Sequence, residues 1–190
     1  MPHLYIIAGC NGAGKTTASL TVLPEILHCN EFVNADMIAY GLSPFNQTSV
    51  AVQAGRMMLA RIKELMQETK DFAFETTLAT RSYVNLVKQA KEKGYSVTLL
   101  YFWLHSPEQA KARVADRVAK GGHNIPLETI ERRYYRGIKN FFQLYCPLVT
   151  KWNLLDNTTG SADLVAEGGE DFKTSVILPQ VWETIKTQIR

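Results

Sequence analysis

A glycine-rich segment near the start of the chain ends in a lysine followed by two threonines. Residues 4–8 before it are apolar and favour a strand, and residues 16–23 after it can form a helix that Pro24 ends. A phosphate-binding loop stands between a strand and a helix in this order. The alternative, an isolated glycine turn beside a surface lysine, would lack that context. The segment, Gly9-Cys10-Asn11-Gly12-Ala13-Gly14-Lys15-Thr16-Thr17, fits the spacing G-x-x-x-x-G-K-[ST].

The residue types of this segment suit a polyphosphate ligand. Its glycines allow positive φ angles and a close approach of the backbone, so that successive N–H groups and the start of the following helix face phosphate oxygens. Lys15 would reach the β- and γ-phosphates, and the Thr16 hydroxyl would bind Mg²⁺. We therefore predict that residues 9–17 bind ATP or GTP together with Mg²⁺.

Two acidic residues stand where further short strands are predicted to end. Asp36 follows Glu31-Phe32-Val33-Asn34, and Glu75 lies in Phe72-Ala73-Phe74-Glu75-Thr76-Thr77. Ligands of open parallel sheets lie beyond the carboxyl ends of the strands, so both carboxylates are predicted to face the nucleotide. Two alternatives stay open, because Asp36 could cap the helix that follows it and Glu75 could pair with a surface lysine.

A pair of basic helices is predicted over residues 107–120 and 127–145, separated by Gly121-Gly122-His123-Asn124-Ile125-Pro126. Arginines four positions apart share a helix face. We interpret the unit as a lid whose arginines neutralise the transferred phosphoryl group. Two amphipathic helices with solvated basic faces are the alternative, and His123 could contact a phosphate or cap a helix end.

Composition indicates an ordinary globular protein. The chain has 190 residues, of which 46% are hydrophobic and 21% are charged, and its net charge of +3 does not by itself indicate a nucleic-acid partner. Cys10, Cys29 and Cys146 are too widely spaced for a disulfide framework or a zinc site. We find neither a signal peptide nor an apolar run long enough to cross a membrane, and expect a cytoplasmic protein.

The order of the predicted elements indicates an α/β protein. A nearly continuous apolar run at residues 95–104 predicts a central parallel strand, and residues 151–157 predict a fifth strand. A β-hairpin over residues 164–178 and a helix over 179–190 complete the chain. We expect one P-loop kinase domain over residues 1–190: a three-layer sandwich of the nucleotide-kinase type with a mostly parallel five-stranded sheet, a helical lid over about residues 107–145, and a C-terminal hairpin plus helix.

Several motifs, in this order along the chain, resemble the zeta-toxin family and in particular its small bacterial branch. Besides the phosphate loop they are Asn34-Ala35-Asp36, Phe74-Glu75-Thr76-Thr77-Leu78, the glycine break at residues 121–126, and Arg132-Arg133-Tyr134. The resemblance extends to about Asn157. It implies a P-loop kinase that transfers phosphate to an alcohol, which in better-studied zeta toxins is the amino-sugar hydroxyl of UDP-N-acetylglucosamine. An antitoxin protein as partner would accompany such a toxin.

The resemblance also implies roles for individual residues. Asp36 matches the base for the acceptor hydroxyl, Glu75 matches a residue that helps to hold the acceptor, and the lid arginines match contacts to the phosphates. We therefore expect catalytic roles for Lys15, Asp36, Arg117 and Arg133. Acceptor binding is assigned to Glu75, Thr76, Thr77, His123, Arg132 and Arg136.

Two other functions stay open. A nucleotide-dependent switch would hydrolyse slowly and act on a protein partner, without a small acceptor. A kinase of nucleic-acid ends would use the arginines together with Tyr134, Tyr135 and Phe141, whose rings could stack on bases. The nucleic-acid kinase ranks last, because the net charge is small and the helical spacing of these aromatic residues suits a core.

Overall fold

A mostly parallel sheet, flanked by helices, carries the phosphate loop where the carboxyl ends of its parallel strands lie. The computed structural model describes residues 1–122 and 124–189. Within this part of the chain, the strands are β1 (His3–Gly9), β2 (Phe32–Val33), β3 (Phe72–Thr76), β4 (Ser96–Trp103), β5 (Lys151–Asp156), β6 (Asp163–Gly169) and β7 (Ser175–Val176).

The helices alternate with the parallel strands along the chain. They are α1 (Lys15–Thr21), α2 (Ala35–Leu42), α3 (Gln47–Gln67), α4 (Val84–Glu92), α5 (Pro107–Ala119), α6 (Leu127–Asn140) and α7 (Pro179–Thr187). Two π-helical turns, Val22–Ile26 and Phe141–Tyr145, continue α1 and α6. In the described residues, no helix combines the length and the apolar character that crossing a bilayer requires.

The strand order is β2-β3-β1-β4-β5-β6-β7. The first five strands in this order are parallel, and β6 and β7 run antiparallel to their neighbours. The crossover from β1 to β2 runs in the opposite direction to the later ones, so right-handed connections place α1 on one face and α3, α4 and α6 on the other. The three-layer α/β architecture predicted from the sequence is confirmed, but the sheet has seven strands because the C-terminal hairpin extends it beyond β5.

Register brings the ends of three strands to the same edge. On β1, Ala8 lies opposite Thr76 of β3, and Gly9 lies opposite Phe102 of β4. On β2, Val33 lies opposite Phe74, two residues before β3 ends. The phosphate loop, the start of α2 and the end of β3 therefore meet at one edge, as the strand-end argument predicts.

The second basic helix, α6, is anchored in the core. Ile130, Tyr134 and Ile138 are buried, and the Tyr134 hydroxyl donates to the Leu104 carbonyl at 2.7 Å. Beyond α6, the ring of Phe141 packs against those of Tyr101 and Trp152, with centroids 4.8 and 5.6 Å apart. Tyr134 and Phe141 are thus core residues rather than exposed stacking platforms.

Two predicted helix boundaries are wrong. Pro24 lies inside the first π-helical turn and not just beyond a helix, so it does not end the segment that α1 begins. The sequence also predicts a helix from Arg81 to about Lys93 with Thr80 as its cap, but the Thr80 hydroxyl pairs with that of Ser82 at 2.7 Å and α4 begins only at Val84. At Thr80, a side-chain hydrogen bond thus takes precedence over the capping preference of a single residue.

The residues Ser106-Pro107-Glu108 predict a capped helix start, and α5 does begin at Pro107 with Ser106 as its cap. The Ser106 side chain accepts a hydrogen bond from the Gln109 amide at 3.2 Å. We expect Ser106→Ala to lower the free energy of unfolding by about 1 kcal/mol, because the first turn loses its acceptor. Urea denaturation measures the loss. Ser175→Ala, at an exposed position of β7, should change stability by less than about 0.5 kcal/mol, and equal losses in both variants would contradict the capping role.

Candidate active site

The phosphate loop curls between α5 and the end of β5. Gly12 and Gly14 both have a φ of +82°, a conformation that side-chain-bearing residues rarely adopt. A Cβ atom at Gly12 would lie 2.8 Å from the Ala110 carbonyl oxygen, and one at Gly14 would lie 2.5 Å from Nδ2 of Asn157. Both backbone conformation and space therefore require glycine at these positions.

Lys15 is buried inside the curl of the loop, with 6% of its side chain exposed. Its Nζ donates to the Cys10 carbonyl at 2.9 Å and lies 3.5 Å from Oε1 of Glu75. Because the ammonium group has three donors, these two contacts leave one N–H for a ligand. The lysine is thus held in place from within the loop.

Glu75 is the centre of a buried polar cluster. Its Oε2 accepts hydrogen bonds from the Thr16 hydroxyl and from Nδ2 of Asn34, both at 2.7 Å. Together with Lys15, these contacts join the ends of β1, β2 and β3 at one carboxylate. The alternative that Glu75 pairs with a surface lysine is wrong, because its lysine partner is the buried one of the loop.

Asn34, and not Asp36, caps α2. Its Oδ1 accepts from the backbone amides of Asp36 and Met37, at 2.8 and 3.2 Å. The capping alternative for Asp36 is therefore wrong, and the Asp36 carboxylate is available to the cavity that it lines. Asparagine is a preferred cap, so its position two residues before Asp36 is the signal in the sequence.

A cavity of about 620 Å³ opens above the loop. Its wall combines the loop, two residues one turn apart on α2, the Glu75 cluster, and the charged side of α5. Besides residues of the loop, the lining includes Asp36, Tyr40, Glu75, Arg113, Asp116, Arg117 and Lys120. The α5 side of the cavity thus carries three cations and one carboxylate, that of Asp116, whereas the α2 side carries the Asp36 carboxylate.

The predicted lid arginines fall into different places. Arg117 lines the cavity, and Arg133 contacts the loop by donating from Nη1 to Oδ1 of Asn11 at 3.1 Å. Burial lowers the pKa of the Arg133 guanidinium, and the negative charge of Asp36 partly offsets this effect. Arg132 is exposed on α6, and Arg136 lines a separate cavity.

Thr76 and Thr77, which are also predicted for the acceptor site, lie at the end of β3 and directly after it. The Thr76 hydroxyl accepts from the Leu78 amide at 3.1 Å and so stabilises a local turn. The Thr77 carbonyl lies against α6, where a Cβ atom at Gly137 would be only 2.7 Å from it. His123 lies outside the described residues.

Two residues that the sequence analysis did not select hold the loop from the other side. Nδ2 of Asn157 donates to the Ala13 carbonyl at 2.7 Å, and Nη2 of Arg113 donates to the carbonyls of Asn157 and Thr158 at 2.9 and 2.8 Å. Asn157 directly follows β5, so the strand-end argument that selected Asp36 could have found it as well.

Sequence comparison identifies the family of this chain. The family model described as zeta toxin matches residues 42–146, which is more than half of the 190 residues. The chain belongs to the zeta-toxin family. The phosphate loop and Asp36 precede the matched stretch, so their geometry is evidence independent of this match. An uncharacterized protein of Haemophilus influenzae is 30% identical over 126 residues, which cover 66% of this zeta-toxin family chain and 88% of that relative.

Three solved structures illustrate the fold that the chain shares with other proteins. The AvrRxo1-ORF1:-ORF2 complex with ATP contains a chain that is 18% identical, with a TM-score of 0.79, and the match covers 99% of our zeta-toxin family member and 64% of that chain. A structure of the PezAT chromosomal toxin–antitoxin system of Streptococcus pneumoniae matches with 14% identity and a TM-score of 0.67. The match covers 100% of our chain and 86% of the matched chain. Shikimate kinase from Acinetobacter baumannii, in complex with shikimate, is 20% identical with a TM-score of 0.53. This match covers 85% of our chain and 87% of the shikimate kinase chain.

These findings confirm the predicted fold and the family. This zeta-toxin family chain shares its α/β fold with solved kinases, among them shikimate kinase. It spans less than two thirds of the matched AvrRxo1 chain.

Burial at the loop leads to a prediction about Cys10, which is 2% exposed. Burial raises the pKa of the Cys10 thiol to about 11, although the positive charge of Lys15 acts in the opposite direction. The thiol is therefore neutral near pH 7.5, and we expect iodoacetamide to leave Cys10 unmodified in the folded protein. Peptide mass mapping after native and denatured labelling measures this, and rapid native modification would contradict the buried position.

Proposed function

We propose that this protein transfers the γ-phosphate of ATP or GTP to a hydroxyl group of a small-molecule acceptor, with Mg²⁺ at the phosphate loop and Asp36 as general base. The observation that carries the proposal is the placement of the Asp36 carboxylate and the Lys15–Glu75–Thr16 cluster in the wall of one cavity. A triphosphate on the loop and an acceptor beside α2 would then face each other across this cavity.

The loop supplies the contacts that a triphosphate needs. Its backbone amides and the start of α1 form a concave group of donors, and the free N–H of Lys15 can reach a phosphate oxygen. Asn157 and Arg113 hold the loop in this shape through the Ala13 carbonyl and the chain after β5. ATP is supported as the donor by the structurally similar AvrRxo1 complex, which was crystallised with ATP.

Two side-chain oxygens at the start of α1 suit a magnesium ion. The Thr16 hydroxyl and the Glu75 carboxylate lie 2.7 Å apart beside the loop, and oxygen donors together with phosphates are what Mg²⁺ prefers. These two residues would hold the ion, which when bound neutralises charge on the β- and γ-phosphates. We therefore place Glu75 at the metal side of the site, in addition to the acceptor contact that the family resemblance implies.

Proton transfer is assigned to Asp36. Its carboxylate is not needed for capping, because Asn34 performs that task. It can accept the proton of an acceptor hydroxyl as the oxygen attacks the γ-phosphorus, while the bond from that phosphorus to the β–γ bridging oxygen breaks and the nucleoside diphosphate leaves. Arg117, from the α5 side, would stabilise the charge on the transferred group, and Arg133 would support it by holding Asn11. The equatorial phosphate oxygens thus meet cations while the attacking oxygen meets a base.

The acceptor that we propose is a nucleotide sugar of the UDP-N-acetylglucosamine type, on the basis of the zeta-toxin family membership. An antitoxin protein is the partner that we propose, because the PezAT relative belongs to a toxin–antitoxin system. We treat residues 1–190 as one kinase domain and residues 107–145 as its lid. Since α6 is anchored in the core and Ala110 and Val114 of α5 are buried as well, the movement would be confined to the last turn of α5.

Replacing the proposed base tests the mechanism. We expect Asp36→Asn to lower the transfer rate by roughly 10²- to 10⁴-fold, because the general base is lost, while the Kd for ATP measured by calorimetry stays within about threefold of that of the wild-type protein. Lys15→Ala should instead weaken both ATP binding and transfer. Radiolabelled ATP with a panel of nucleotide sugars measures transfer.

Full activity of Asp36→Asn would exclude Asp36 as the base. Hydrolysis of ATP that depends on a protein partner, and not on an acceptor, would favour the switch function.

A pair of capping variants tests whether the Glu75 cluster matters beyond stability. Asn34 caps α2 by accepting from two backbone amides and Asn46 caps α3 by accepting from one, but only Asn34 also contacts Glu75. Asn46→Ala should lower the free energy of unfolding by about 1 kcal/mol, and Asn34→Ala should lower it further because the buried hydrogen bond to Glu75 is lost as well. Only Asn34→Ala should also lower kcat, by roughly tenfold, because Glu75 loses a hydrogen bond that orients it. If the two variants lost activity equally, the contact with Glu75 would have no catalytic importance.

A further inference from the structure

Tyr40 is an aromatic residue in the wall of the active-site cavity that takes no part in the proposed mechanism. It lies on α2 and lines the cavity of about 620 Å³ together with Asp36 and residues of the phosphate loop. The residue is 59% exposed, so its ring is not part of the core. Ligand sites are concave and commonly lined by aromatic side chains, which makes this ring available to a ligand in the cavity.

The fold accounts for the other tyrosines but not for Tyr40. Of the eight tyrosines in the chain, seven pack against another ring or donate a hydrogen bond from the hydroxyl: Tyr5, Tyr83, Tyr95, Tyr101, Tyr134, Tyr135 and Tyr145. In residues 1–122 and 124–189, the Tyr40 side chain has neither a hydrogen bond nor a ring contact. Its position in the cavity wall is therefore not explained by a contact within the protein.

The position of Tyr40 relative to the proposed base follows from the geometry of α2. Asp36 and Tyr40 are four positions apart in the helix, so they share one face and their Cβ atoms lie about 5–6 Å apart. Side chains of a helix lean towards its N-terminus, which directs the Tyr40 ring back towards the turn that carries Asp36. The cap formed by Asn34, which also donates to Glu75, holds this end of α2 in place.

This spacing restricts what can lie on the Tyr40 ring. A hydroxyl that gives its proton to Asp36 must be within hydrogen-bond distance of the carboxylate. The atoms next to that hydroxyl then lie over the neighbouring turn, where the ring offers a flat face with partial negative charge to C–H groups. A cyclic alcohol presents several C–H groups on one rigid face, whereas an open-chain alcohol must lose rotational freedom to do the same.

We propose that Tyr40 is a specificity-determining residue on which the ring of the acceptor lies, namely the ring that carries the reacting hydroxyl. The protein would accordingly phosphorylate cyclic alcohols in preference to open-chain alcohols and to the serine or threonine hydroxyls of a polypeptide. This inference rests on the proposed kinase function, because it requires the hydroxyl proton to pass to Asp36.

Binding of the proposed acceptor tests the contact without any need for transfer. The phosphate loop is first saturated with a non-hydrolysable ATP analogue and Mg²⁺, and UDP-N-acetylglucosamine is then titrated by calorimetry. We expect Tyr40→Leu to weaken the affinity about tenfold, because the ring face is lost, and Tyr40→Phe to stay within about twofold of the wild-type protein. Leucine favours a helix at least as much as tyrosine does, so α2 should remain folded.

A matched control and a second ligand show which rings are in contact. Phe172→Leu removes an exposed ring that does not line the cavity, and it should bind like the wild-type protein. Tyr40→Leu should bind UDP, which has no acceptor ring, as tightly as the wild-type protein does. An equal loss of affinity for UDP and UDP-N-acetylglucosamine would overturn the proposal, because the uracil ring would then lie on Tyr40. Equal losses in Tyr40→Leu and Tyr40→Phe, or no binding of UDP-N-acetylglucosamine by the wild-type protein, would overturn it as well.

Kinetics tests the link to transfer. N-acetylglucosamine and its reduced form N-acetylglucosaminitol share their acetamido group, but only the first has a ring. The wild-type protein should prefer the cyclic acceptor in kcat/KM, and Tyr40→Leu should reduce this preference about tenfold through KM, with the KM for ATP within about threefold.

The two measurements separate this inference from the kinase proposal. If transfer proceeds with the same KM for the cyclic acceptor in Tyr40→Leu as in the wild-type protein, the role of Tyr40 is wrong and the kinase proposal stands. If UDP-N-acetylglucosamine binding is weakened only in Tyr40→Leu but no acceptor is phosphorylated, the contact with Tyr40 stands and the kinase proposal fails.

Discussion

The buried ion pair between Lys15 and Glu75 is the interaction on which the rest of the site depends. Only 6% and 10% of the two side chains are exposed, so removal of either partner would leave an uncompensated charge in the interior. Glu75 also accepts hydrogen bonds from Thr16 and Asn34, and Asn34 in turn begins α2. The Glu75 carboxylate therefore fixes the position of Lys15 relative to the start of α2, the helix that carries Asp36.

Much of this arrangement can be predicted from the sequence because it depends on local patterns. The phosphate loop has a spacing that few other structures require, and Ser106-Pro107 marks the start of α5 by its capping chemistry. The strand-end rule places Asp36 and Glu75 at the same edge because parallel strands end together. Family membership is confirmed by the match over residues 42–146, although the roles of individual residues stay predictions.

The arginines show where local patterns are insufficient. Helical periodicity places Arg132 and Arg136 on one face of α6, but it does not reveal which face packs on the sheet. That choice follows from burial of Ile130, Tyr134 and Ile138, and it directs Arg133 to the loop and Arg136 to a different cavity. The contact of Asn157 with Ala13 joins residues 144 positions apart. Such a contact depends on strand order, which periodicity does not specify.

The extension of the sheet by β6 and β7 has a consequence for how molecules of this protein meet one another. The strands at the two margins of the sheet, β2 and β7, are each two residues long, whereas the long strands β1, β4 and β5 are paired on both sides. A short margin offers few unpaired backbone groups to a neighbouring molecule. The C-terminal hairpin, which contributes no residue to the proposed site, thereby shields β5 from intermolecular strand pairing and so from a common route to aggregation.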